Sequence, residues 1–242
     1  MNIIIGETAI TLAHVKAALA GPIRVELSPG ARGLIRRSAE TVLRLLKTGN
    51  AIYGVNTGFG KLAKTRIVQA DLSKLQINIV RSHAAGVGQP LDAGVVRLVM
   101  LLKINALSQG ASGISLAAMD ALVGLLNADV LPLIPGQGSV GASGDLAPLA
   151  HLSLVLIGEG RVALKGAPAS GLQGLQAAGL NGTRSFRAGC CRTQWGSSPT
   201  GRRTFHGCGH GIGYALRSPH SLLTPASRPS SGCQSFQALA QG

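Results

Sequence analysis

Beyond Glu159 the sequence contains no acidic residue. All nine aspartates and glutamates of the 242-residue chain lie in residues 1–159 beside 14 of its 23 basic residues, and residues 160–242 hold the other nine bases unopposed. The formal charge of +14 therefore divides into +5 and +9 and is not a property of one surface. Aromatic residues are scarce, at four Phe, two Tyr and one Trp, and five of these seven fall past residue 180. Cysteine is absent before that point, because Cys190, Cys191, Cys208 and Cys233 are the four the chain has. No uninterrupted apolar run reaches the ~18 residues a membrane-spanning helix requires. No basic region precedes the apolar start of residues 1–10, so a secretory signal is not expected and a cytoplasmic location is. Two kinds of sequence are joined, and the 45% apolar content suits one or two folded domains.

The first kind reads as helix almost throughout. Thr11 caps a helix with Leu12, Val15 and Leu19 on one face, ended by Gly21-Pro22. Ser28-Pro29 opens a second, with Leu34, Ile35, Val42, Leu45 and Leu46 inward and Gly49 as its exit. Leu72, Leu75 and Ile79 mark a third, followed by helices over 92–107, 114–127 and 145–157. The last is apolar on nearly every side apart from His151 and Ser153, the pattern of a buried helix. Residues 23–27 alternate with period two and, with residues 2–5, predict a small β element. The expected fold class is mainly α.

Residues 181–242 follow no period. Ten Gly, nine Ser and four Pro among these 62 positions, with seven Arg and no acid, leave little means of burying a core, so an irregular tail is expected. His206, Cys208 and His210, with Cys190, Cys191 and Cys233, are metal-ligand types at spacings that match no standard site. The tail aromatics form no recognisable nucleic-acid module, and no metal or specific nucleic acid is expected.

Two Gly-rich loops interrupt the helices. Tyr53-Gly54-Val55-Asn56-Thr57-Gly58-Phe59-Gly60 contains both aromatics of residues 1–159, which is either a turn resting on the core or a functional loop. Its Gly58-Phe59-Gly60-Lys61-Leu62-Ala63 matches a dinucleotide fingerprint loosely, but the helical surroundings lack the strand that motif requires. The second loop, Gly136 to Gly144, leads into the apolar helix and sets Ser143 at a helix N-terminus, where it is either a cap or a group near favourable positive potential. No Gly-Lys-Ser/Thr follows it, which argues against a phosphate loop.

The string Gly138-Ser139-Val140-Gly141-Ala142-Ser143-Gly144-Asp145-Leu146-Ala147-Pro148-Leu149-Ala150-His151 resembles the signature of the aromatic amino acid ammonia-lyases. In that family the Ala-Ser-Gly tripeptide cyclises and loses water to form 4-methylideneimidazole-5-one, so the resemblance implies that prosthetic group from Ala142, Ser143 and Gly144. The segment 53–60 resembles the family's mobile tyrosine loop, with Asn56 as in the histidine-specific members. Ser82-His83-Ala84-Ala85-Gly86 resembles the same members. The resemblance implies elimination of ammonia from L-histidine to give trans-urocanate, with Tyr53 as base, Ser143 as source of the electrophile, and His83 orienting the imidazole. It implies a homotetramer and no metal or dissociable cofactor.

It covers about residues 3–165, where an ammonia-lyase N-terminal and active-site domain is expected, with residues 166–242 a non-homologous basic tail of the kind that out-of-frame reading of a GC-rich gene produces. Asn181-Gly182-Thr183 resembles a substrate-contacting Asn-Gly-Thr of the family, but stands closer to Ser143 than in the family, and Asn-Gly is also a common turn pair. The long helices of the family's tetramer core have no counterpart, so impaired activity is expected. The alternative is a noncatalytic fragment that associates with full-length subunits or binds acidic partners through its tail.

Overall fold

The structure is a computed structural model that describes residues 1–50, 55–57, 67–139, 146–164 and 166–180. Strand β1 (Asn2–Ile5) buries Ile3 and Ile5 and turns Asn2 and Ile4 outward, and it pairs in parallel with β2 (Arg24–Leu27), Ile3 opposite Val25. Parallel neighbours need a crossover, which α1 (Leu12–Ala20) provides. Thr11 and His14 cap α1 reciprocally, the Thr11 N–H donating to His14 Nδ1 at 3.2 Å.

The face of α1 differs from expectation. Leu12 and Leu19 are 54% and 40% exposed, and Ala18 is the residue fully buried. The reason lies across the contact: a side chain on Gly94 of α4 (Ala93–Ser108) would run into the Leu19 carbonyl, so the helices meet backbone to backbone. Such an approach requires small residues and leaves the leucines outside. Helix α2 (Pro29–Lys47), capped by Ser28 Oγ on the Ala31 N–H at 3.1 Å, likewise buries Ala31 and Ile35 but leaves Leu34 and Leu45 at 40% and 41% exposure. Arg32 forks onto Asp120 of α5 (Leu116–Asn127) at 2.8 and 2.9 Å.

The core forms around α4, α5 and α6 (Leu146–Leu156), where Val99, Met100, Leu101, Ile104, Met119, Leu122, Leu125, Leu126, Leu152 and Val155 are buried in one cluster. Asn127, last in α5, completes the β element: its Oδ1 accepts from Val25 N–H at 2.7 Å and its Nδ2 donates to Val25 C=O at 2.9 Å. Asn127→Ala strands both backbone groups, so a loss of about 2 kcal/mol is expected in urea unfolding. Arg97 holds Asp129 at 2.6 Å, where the chain turns through a positive φ of 52°.

Five short strands were not legible in the periodicity. Strand β3 (Val87–Pro90) pairs antiparallel with β5 (Pro135–Gln137), and β4 (Leu131–Pro132), β6 (Arg161–Leu164) and β7 (Ala167–Ser170) form an antiparallel sheet. Ser170 and Gln173 cap α7 (Gly171–Ala177), whose Leu175 is buried and whose Gly174 admits Val162 and Val130. Packed structure thus continues past residue 165, where the change in sequence character places a boundary.

Candidate active site

Helix α3 (Leu72–His83) buries Leu72, Ile79 and Val80, and Val80 packs on Ile157 just after α6, beside Ile77 and Leu154. Arg81 adds a link from α3 to Glu159, its Nε donating at 2.9 Å, and that pairing raises the guanidinium pKa above its ordinary value. The packing fixes the end of α3, where His83 stands. His83 Nδ1 lies 2.8 Å from the Ile79 carbonyl and 3.0 Å from Ser82 Oγ. A carbonyl only accepts, so the neutral ring carries its proton on Nδ1 and Nε2 is the acceptor nitrogen.

Three residues on, the chain meets the approach to the second Gly-rich loop. The β3–β5 pairing sets Val87 opposite Gln137, which brings Gly138 against Gly86. A Cβ on Gly138 would stand 3.0 Å from Gly86 Cα and 3.4 Å from Ala147 Cβ of α6. A Cβ on Gly86 would meet His151 Nε2 at 3.1 Å and the Gln137 carbonyl at 3.2 Å. The Gly86 N–H donates to His151 Nε2 at 3.1 Å. Both glycines are needed because backbone must touch backbone here.

Of the residues singled out in the sequence, His83 is described, and Tyr53, Ala142, Ser143, Gly144 and Asn181 lie outside the described residues, as do Phe59, Asp145 and the whole cysteine-bearing tail. The described ends of the second loop, Ser139 and Leu146, follow β5 and open α6, so the tripeptide is carried between a paired strand and a buried helix. In the first loop Asn56 is buried: its Nδ2 donates to the Asn50 carbonyl and its own carbonyl accepts from the Ile67 N–H, both at 2.8 Å. Asn56 thus ties the middle of the tyrosine-bearing segment to both of its flanks, a structural duty. The Gly86–His151 contact was missed, since partners 65 residues apart share no local pattern.

Burial lowers the pKa of His151 from the ordinary 6.5. Between the folded value and 6.5 the unfolded chain binds more protons than the folded one, so stability falls as pH drops through that window and levels off below the folded pKa. Thermal melts from pH 7.5 to 5 are expected to show this decline, and His151→Gln should flatten part of it.

Comparison with known proteins accords with this geometry. Residues 10–185 match the aromatic amino acid lyase family. The chain is 49% identical over 180 residues to a histidine ammonia-lyase of Pseudomonas fluorescens, covering 74% of this chain and 35% of that protein. A histidine ammonia-lyase of Burkholderia pseudomallei is 51% identical over 171 residues, 71% of this chain and 34% of its own. Among solved structures, Pantoea agglomerans phenylalanine aminomutase superposes with a TM-score of 0.72 at 31% identity, covering 82% of this chain and 38% of that one. Histidine ammonia-lyase from Trypanosoma cruzi gives 0.68 at 31% identity, over 80% and 39%. The chain spans about a third of the length of these curated relatives. A match over residues 10–185, on a fold shared with solved ammonia-lyases and aminomutases, places the chain in the aromatic amino acid lyase family.

Proposed function

We propose that this chain carries the N-terminal part of a histidine ammonia-lyase site, one that eliminates ammonia from L-histidine to give trans-urocanate. The observation that carries the reading is the intact Ala142-Ser143-Gly144 within the family-matched residues, together with His83, whose acceptor nitrogen is defined. The tripeptide has the composition the prosthetic group needs. Gly144 nitrogen bonds to the Ala142 carbonyl carbon, one water leaves from that carbon and a second from the Ser143 side chain, and the small flanking residues leave the approach unobstructed. The resulting 4-methylideneimidazole-5-one supplies an electrophile that draws electron density from the substrate.

The remaining work falls to side chains. The substrate's β-proton is weakly acidic, and Tyr53 removes it, a task that requires its phenol to ionise below the ordinary ~10. His83 Nε2 accepts the substrate's imidazole N–H, which orients the ring. The substrate is L-histidine, the setting cytoplasmic and the assembly a homotetramer; among the described residues no helix is long and apolar enough to cross a membrane. Residues 1–165 carry the lyase chemistry, β7 and α7 extend the packed fold to residue 180 before the basic tail, and Asn181 is a candidate substrate contact.

A second reading rests on the length of the match: with about a third of its relatives' length, the chain serves as a noncatalytic fragment that associates with longer subunits. Urocanate absorbs in the near ultraviolet and histidine does not, which separates the two. The 242-residue chain alone is expected to turn over histidine weakly or not at all, and a monodisperse tetramer with enzyme-like turnover would overturn the fragment reading.

A further inference from the structure

Three segments far apart in sequence converge at one backbone contact. Gly86 follows His83 by three residues, Gly138 lies two residues before the 140–145 loop, and Ala147 and His151 sit one turn apart on the first half of α6. A Cβ on Gly138 would stand 3.0 Å from Gly86 Cα and 3.4 Å from Ala147 Cβ, so Gly86, Gly138 and Ala147 meet with no room for a larger side chain. There the Gly86 N–H donates to His151 Nε2 at 3.1 Å. For Nε2 to accept, the neutral ring must carry its proton on Nδ1.

We propose that His151 is a positioning residue: its Nε2 lone pair clamps Gly86 onto Gly138 and so fixes His83 relative to the loop that bears Ala142-Ser143-Gly144. The loop is held at its exit because α6 is buried, and at its entrance because β5 pairs with β3. The Gly86 clamp adds a direct tie from the turn after His83 to α6, beside the β3–β5 pairing and the α3–α6 packing that hold the same segments. Loss of the clamp frees the Gly86–Gly138 contact to open and relaxes a restraint on Gly138 and Ala147, the described residues on either side of the tripeptide, which slows cyclisation. The role in ring formation rests on the function proposed above; the clamp itself does not.

His151→Gln, His151→Leu and the parent chain test this. Gln presents a carbonyl oxygen that can accept the same N–H, and Leu fills similar volume without an acceptor. Two quantities are read in the 242-residue chain: amide hydrogen exchange at Gly86, and the fraction of molecules lighter by two waters. Exchange at the α4 and α5 core amides reports whether each variant is folded. His151→Leu is expected to speed exchange at Gly86 by about tenfold or more while the core amides keep parental protection, and to lower the ring-bearing fraction severalfold. His151→Gln restores both. Parental Gly86 exchange in His151→Leu, or a Gln variant that behaves as Leu does, overturns the clamp. A parent that has the ring, together with a Leu variant that forms it equally well, overturns the positioning role alone. A parent without any water loss refutes the chemical reading and the ring-forming role with it, and the Gly86 rates then still decide the clamp.

Discussion

Ser143→Ala leaves the intact chain at its encoded mass, whereas the parent is lighter by two waters. The two-water loss is expected to vanish completely, because the second water and the exocyclic methylene can come only from the serine side chain; a variant lighter by one water would show backbone cyclisation alone. Alanine at 143 has no hydroxyl to lose. Mass spectrometry of the intact chain gives the answer directly, and a parent at its encoded mass would refute ring formation in this protein.

The second large effect concerns turnover. In a chimera where residues 1–180 replace the matching stretch of the Pseudomonas fluorescens relative, Tyr53→Phe is expected to lower the turnover of L-histidine by about 10²–10⁴-fold, the usual range for deleting a general base. The two-water mass loss stays, since Phe removes the base and not the electrophile. His83→Leu in the same chimera should raise KM for histidine and change far less for a substrate without an imidazole, because it deletes the acceptor that Nε2 presents. Near-parental turnover in Tyr53→Phe would show that the base lies elsewhere.

Much of this architecture is legible in the sequence where hydrophobic spacing alone decides it. Helices α3 to α6 follow the period of their apolar residues, and α6 is buried as its all-apolar surface requires. The face of α1 differs because periodicity ranks Leu above Ala, whereas a close crossing at Gly94 selects Ala18 and expels Leu12 and Leu19; on α2, Ile35 is buried as its spacing requires while Leu34 and Leu45 are exposed. Strands of two to four residues such as β4 and β5 offer no period to read, and α7 hides behind three glycines and alanines. At the site, His83 and the tripeptide come from recognisable strings. The meeting of Gly86, Gly138 and His151 depends on the β3–β5 pairing and is invisible before the fold is known.

The bond between Asn127 and Val25 also has a consequence in time. The two partners are 102 residues apart, so a growing chain makes the N-terminal strands long before it makes the amide that completes them. At roughly 5–20 residues per second, synthesis leaves that gap open for about 5–20 seconds. During this interval Ile3, Ile5 and Val25 have neither their edge partner nor the α4 and α5 surfaces that later cover them. The nascent chain is therefore most vulnerable to association and to chaperone capture before α5 leaves the ribosome, and Asn127 marks the point in translation at which that exposure can end.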